Sequence, residues 1–197
     1  MISLLLILLP LLTGLAAFFI KDEKLARTWA VLASFATLTI AILSLCCMND
    51  TKSLNYHCEW LPSLGASFSL KMDGVAQLLC LLNTIAYPLV FIAGWDKTYK
   101  NAKNFFALML LAQAGIMGVF LAADALLFYF FWELALIPMY FLCSQWGGEK
   151  RVAVTFKFFI YTFIGSLLML ISILYLYGQT PDHSFSIESF YNLKLTS

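Results

Sequence analysis

The sequence predicts an all-α integral membrane fold of about six transmembrane helices, and three observations carry that prediction. Of its 197 residues, 62% are apolar and only 12% are Asp, Glu, Lys or Arg, against roughly 25% charged residues in ordinary soluble domains. Mean hydropathy is +0.86 and Phe alone supplies 18 residues, more apolar surface than a chain of this length can hide in one core. The uncharged stretches are also long. A helix needs about 20 residues to cross about 30 Å of hydrocarbon, and six runs approach or reach that length. The formal charge of +1 gives no basis for nucleic-acid binding, which needs a marked basic excess.

The expected spans lie at about residues 2–20, 28–48, 75–95, 105–123, 125–146 and 152–178. The first, MISLLLILLPLLTGLAAFFI, lacks the basic start and small-residue cleavage site of a secretory signal and is read as a retained span. Spans two and three are separated by a longer outer loop, 49–74, which contains Pro62 and Gly65. Span three carries Pro88, read as a simple kink. Gln113, Gly115 and Gly118 on span four, and Gly165 with Ser166 on span six, are read as sites of close helix contact. The polar tail 179–197 follows the sixth span, and no repeat or linker divides the chain, so 1–197 is read as a single transmembrane domain. The five cysteines, Cys46, Cys47, Cys58, Cys80 and Cys143, are odd in number and show no metal spacing, so neither a disulfide nor a metal site is expected.

Lys and Arg concentrate on the cytoplasmic side of short loops. Loops one, three and five hold eight of them, whereas loops two and four and the tail hold only Lys52, Lys71 and Lys194. The amino terminus is therefore expected outside, and six crossings return the tail to the same side.

Two ionisable residues remain well inside a span: Glu133 in FYFFWELALIPMYF and Lys157 in VAVTFKFFIYTFIGSLLML. Glu133 lies roughly 13 Å along the helix from Asp124, close to the bilayer midplane. A carboxylate at that depth costs roughly 2.5 to 3.5 kcal/mol on insertion scales, so it faces a protein interior and marks a proton or ion path. The alternative is a neutral, hydrogen-bonded acid that holds helices together. Lys157 lies about 9 Å beyond Arg151, within reach of the interface by snorkelling; its depth differs from that of Glu133 by roughly 10 Å, too far for a direct ion pair. Pro138 removes an N–H and frees the Leu134 carbonyl one turn from the acid, giving either a packing kink or a place for a water. Asp124, in an almost vanishing turn, either caps the following helix or lines the outer mouth of a path. His57, Cys58 and Glu59 are adjacent in the outer loop and read as solvated. The sequence has no phosphate loop, iron–sulfur cysteine framework or paired nucleophile and base, so redox chemistry is assigned to other chains.

The stretch FLAADALLFYFFWELALIPMYFL through QWGGEKRVAVTFKFFIYTFIGSLLML, with LLLILLPLLTGL, WLPSLGASFSLKMDG and FSIESFYN, resembles the antiporter-like subunits of respiratory complex I, in particular the M subunit, called subunit 4 in mitochondria. The resemblance covers nearly the whole chain and implies the amino-terminal part of an antiporter-like fold, since family members continue to about fourteen spans. It implies that Glu133 is the fifth-span glutamate of proton translocation, that Lys157 is the lysine at the start of the sixth span, and that the chain is a partial, proton-translocating subunit of NADH:quinone oxidoreductase. It also implies the setting: NADH, FMN, iron–sulfur clusters and quinone on partner subunits and none on this chain, other membrane and peripheral subunits of complex I as partners, and a bacterial inner membrane rather than a mitochondrial one. A cation/proton antiporter or membrane-bound hydrogenase subunit shares the glutamate and lysine pattern, and a non-transporting membrane fragment is the reading of a different class.

Overall fold

Long apolar runs settle into helices because every backbone N–H and C=O must find a partner where no water can supply one. The computed structural model describes residues 1–46 and 54–193; Cys47, Lys52, Lys194 and the end of the second expected span lie outside the described residues. The helices are α1 Ile2–Ala17, α2 Glu23–Cys46, α3 Gly74–Ala93, α4 Ala102–Leu121, α5 Ala125–Trp146, α6 Arg151–Gln179 and a short α7 Ile187–Tyr191. Strands β1 Tyr56–Leu61 and β2 Ala66–Leu70 form an antiparallel hairpin between α2 and α3.

Among the described residues, five helices, α2 to α6, are long and apolar enough to cross a membrane. The first of the six expected spans is shorter: α1 has 16 residues, about 24 Å at the α-helical rise, because the chain turns at Phe18 and Phe19 towards Lys21 and Asp22. Pro10, Pro88 and Pro138 are buried inside α1, α3 and α5, all of which remain continuous. Hydroxyls within the apolar helices donate to carbonyls of their own preceding turn, as Thr37 Oγ1 does to Ala33 at 2.8 Å and Ser44 Oγ to Ala41 at 2.6 Å, so small polar residues enter the interior already satisfied.

The centre of the bundle is α4, which packs against α1, α2, α3 and α5. Small residues permit the approach. A side chain at Gly115 would stand 2.8 Å from the Cα of Ala135, and one at Gly118 would enter the ring of Phe131; both glycines are the close contacts the sequence predicts. Gly165 is different: it is exposed, with open space where a side chain would be. It lies on the outward side of α6, which packs chiefly against α5 and leaves Phe156, Tyr161, Leu168 and Ile171 exposed.

One end of the bundle is closed by charged and aromatic groups. The Arg27 guanidinium donates to the carbonyls of Trp95 and Lys97 and lies over the Trp95 ring, while Trp146 Nε1 donates to the Lys100 carbonyl at 2.9 Å. The other end is built from the hairpin, the α4–α5 turn and the tail. The described part of the longer outer loop expected at 49–74 is largely this hairpin, in which Gly65 takes φ +68° to turn the chain. Lys71 N–H donates to the Leu121 carbonyl and Ala123 N–H to Ser69; Ile187 N–H donates back to Ala123, Ala125 N–H to Phe185, and Phe185 N–H to Gly65. Phe68 meets Phe131 edge to face, as Trp60 meets Phe130, seating the hairpin on α5.

Asp124 lies at the middle of this mesh. Its Oδ1 accepts from the N–H groups of Leu126 at 2.9 Å and Leu127 at 3.1 Å, capping α5; its Oδ2 accepts from Ser67 N–H at 3.0 Å and Ser67 Oγ at 3.4 Å. Only 1% of the residue is exposed. Asp124→Ala is predicted to lower stability by about 2–4 kcal/mol, since a lost cap and newly orphaned buried donors add; Asp124→Asn, which keeps one acceptor oxygen, should lose about half as much. Thermal unfolding in detergent, with proteolysis of the hairpin as a local readout, checks both values. At the helix contact, Gly118→Leu should destabilise by about 1–3 kcal/mol through overpacking, and adding Phe131→Ala should recover part of that loss in the same assay.

Candidate proton-translocation site

Glu133 is on the third turn of α5, below the Asp124 cap and beyond Phe131, so the helix that Asp124 fixes carries the acid into the apolar zone. The residue is partly buried, and its Oε1 is fully covered with no hydrogen-bond partner among the described residues. One turn earlier on the same helix, the Tyr129 side chain interacts with both Glu133 and Ser166 of α6. Ser166 is buried and donates to the Phe163 carbonyl at 2.9 Å. The three side chains therefore form a polar contact across the α5–α6 interface. No Lys, Arg or His lies within ion-pair distance of Glu133 among the described residues.

Pro138 is buried on α5 one turn beyond Glu133, where its ring cannot donate to the Leu134 carbonyl. Lys157 is exposed on α6 and makes no ion pair with Glu133, consistent with the difference in depth. Asp124, the other acid considered for a path, has both oxygens engaged by backbone and hydroxyl donors.

The sequence reading took Gln113 for a close helix contact and did not mark Asn83. Gln113 on α4 is completely buried, and among the described residues neither its oxygen nor its nitrogen has a partner; Asn83 Nδ2 on α3 is likewise covered and unpaired. Its position beside Gly115 makes Gln113 look like a packing residue in sequence, but its amide carries polar capacity that packing alone leaves unmet. Tyr129 was equally unmarked, although a tyrosine one turn from an intramembrane acid is a recognisable signal. The described cysteines are free thiols, and no group of three or more His, Cys, Asp or Glu among the described residues converges on a common point.

Residues 122–196, which include Asp124, Glu133, Pro138 and Lys157, match the family model described as NADH:quinone oxidoreductase/Mrp antiporter, TM. Over 191 residues the chain is 38% identical to F(420)H(2) dehydrogenase subunit M of Methanosarcina mazei, an alignment covering 93% of this chain and 39% of that protein. It is 34% identical over 192 residues to NAD(P)H-quinone oxidoreductase chain 4 of Acaryochloris marina, covering 93% of this chain and 36% of the relative. Its fold superposes on a chain of respiratory complex I from Thermus thermophilus with bound NADH, with a TM-score of 0.85 and 26% identity, over 100% of this chain and 40% of that one. The chain thus spans about two fifths of the length of these relatives. Matched by sequence over most of its length and by fold over all of it, the chain is similar to the antiporter-like membrane subunits of quinone oxidoreductases, and its residues 122–196 carry the domain described as NADH:quinone oxidoreductase/Mrp antiporter, TM.

Proposed function

We propose that this chain is part of a proton-translocating membrane subunit of an NADH:quinone oxidoreductase, and that Glu133 takes up and releases the transported proton. The observation that carries the proposal is the covered Oε1 of Glu133 within a membrane-spanning helix, unbonded among the described residues, on an acid whose polar contact is a tyrosine and not a cation, because an ionisable group kept at such a depth without a countercharge is normally functional. The complex I superposition and the relatives named as quinone-reductase subunits support the same reading.

In this scheme Tyr129 and Ser166 orient the acid and offer it a hydroxyl route across the α5–α6 contact. The Leu134 carbonyl, left without a helical donor by Pro138, provides an acceptor for a water next to the acid. Lys157 acts electrostatically from α6, and Asp124 fixes the start of α5 at the outer mouth. NADH, FMN, iron–sulfur clusters and quinone belong to partner subunits, both peripheral and membrane-embedded, and electron transfer there changes the field at Glu133. The Lys- and Arg-rich loops face the cytoplasm of a bacterial inner membrane and the hairpin faces outward, so protons enter near Arg27 and Trp146 and leave near Asp124.

Glu133→Gln, introduced into the intact respiratory complex and assayed in inverted membrane vesicles, should abolish redox-driven proton pumping or reduce it at least tenfold, a loss typical of removing an essential proton carrier, while the subunit still assembles. Glu133→Asp should retain part of the activity, and Tyr129→Phe should lower it several-fold. Pumping unchanged in the assembled Glu133→Gln complex would contradict the assignment.

A further inference from the structure

On the face of α4 turned away from α5, three helices contribute a polar residue at the same height. Gly115 and Gly118 meet Ala135 and Phe131 of α5, and Gln113 lies roughly 140° to 160° round α4 from both. The contacts on either side of Gln113 fix the register of α2, α3 and α4 there. Phe91 of α3 meets Phe106 of α4 edge to face at 5.6 Å, and Ala30 of α2 is buried in the same cluster. Further along the three helices, Ala41, Cys80 and Met117 are buried in a second cluster. Thr37, Thr84 and Gln113 each stand seven residues from the first set and four from the second, spacings that keep to one helix face. They form a layer of their own, and all three are completely buried by the chain's own helices. Gln77 Nε2 donates to Ser44 Oγ at 3.2 Å, seven residues beyond Thr84 and Thr37, which gives the same register. Thr37 is nine residues, about 14 Å, from the end of α2 at Cys46, so the layer lies well inside the described bundle.

The layer holds acceptors in excess. Thr37 Oγ1 donates to the Ala33 carbonyl at 2.8 Å and Thr84 Oγ1 to the Leu81 carbonyl at 2.9 Å, so each hydroxyl proton is committed and each oxygen is left to accept. Pro88, buried in α3 four residues beyond Thr84, has no N–H to close on the Thr84 carbonyl. The Gln113 amide adds one oxygen and two N–H groups, and neither its oxygen nor its nitrogen has a partner among the described residues. Its N–H groups match the threonine oxygens, but no side chain of the layer donates to the amide oxygen.

A small neutral molecule that both donates and accepts completes this set. We propose that the layer of Thr37, Thr84 and Gln113 is a binding site for ordered water, which bridges α4 to α2 and α3. One water accepts from a Gln113 N–H and donates to the Thr84 carbonyl, and a second donates to Gln113 Oε1 and to a threonine oxygen. Buried waters typically make about three such bonds to polar groups that the protein leaves unpaired. A metal cation matches the set less well, because the layer offers no carboxylate to offset a buried charge and the amide N–H groups need an acceptor. The site lies across α4 from α5, and so holds from behind the helix whose glycines receive Ala135 and Phe131.

The test is a cryo-EM map, at a resolution that shows ordered solvent, of the chain purified from its own membranes with the subunits that accompany it. A water peak should stand within about 3.2 Å of the Gln113 amide and of the Thr84 carbonyl. X-ray radiolysis gives a second readout, because a water in the layer yields hydroxyl radicals one turn from Met117, which is completely buried. Met117 should therefore be oxidised several-fold faster in the parent than in Gln113→Leu. The parent map decides the proposal even where that variant fails to assemble. A Gln113 amide bonded directly to Thr84 or Thr37 with no peak between them would overturn it. So would a peak ringed by oxygens at about 2.3–2.6 Å, the spacing of a metal cation, or equal oxidation of Met117 in parent and variant.

Discussion

The carboxylate of Asp124 and the backbone beside it join three segments that are distant in sequence. Its two oxygens bind the first turn of α5 and the strand residue Ser67, 57 positions earlier, and the backbone on either side of it binds both the hairpin and the tail. This matters because α4 and α5 reverse direction within three residues, leaving the donors of a new helix N-terminus at the membrane boundary. Without an acceptor, those N–H groups would pull water inward or unwind the first turn. With one, α5 starts at a defined residue and Glu133 is held a defined number of turns below it. The position of the site in the membrane thus follows from a cap.

Below that junction the interior is ordered by contact rather than by charge. Gly115 and Gly118 bring α4 and α5 together until Ala135 and Phe131 touch backbone, as expected where lipid offers no hydrophobic drive for helix association. Glu133, Gln113 and Asn83, which with the Ser3 hydroxyl have buried polar atoms unpaired among the described residues of these helices, are therefore conspicuous. Most hydroxyls in these helices satisfy themselves against their own preceding turn, whereas a glutamate or glutamine amide has no equivalent recourse. Glu133 is distinguished from the two amides by its ability to change charge and by its contact with Tyr129 on the face where α6 leaves the bundle.

The membrane helices were legible in the sequence because length and absence of charge are local properties; the expected and observed bounds agree at 125–146 and differ by a few residues elsewhere. Glu133 was legible for the same reason, as a charge within an apolar run. The hairpin was less so. Its outer strand, YHCEWL, places polar and aromatic residues side by side without clean alternation, although ASFSL alternates and PSLG supplies a turn. The engagement of Asp124 with Ser67 depends on a meeting across 57 residues, which no local pattern encodes. The misreading of Gly165 has a related cause: a small residue in a span signals close packing only if a neighbour lies on that face, and α6 presents Gly165 outward.

The proposed place of this helical array in a redox-driven proton-translocating assembly is tested most directly by what the chain is bound to. The tagged chain, extracted from native membranes in mild detergent and analysed by mass spectrometry, should be recovered with iron–sulfur and flavin-bearing subunits and with electron transfer to quinone in the same fraction. Recovery alone, with neither redox subunits nor quinone reduction, would contradict the account and leave Glu133 as a buried acid with a structural role.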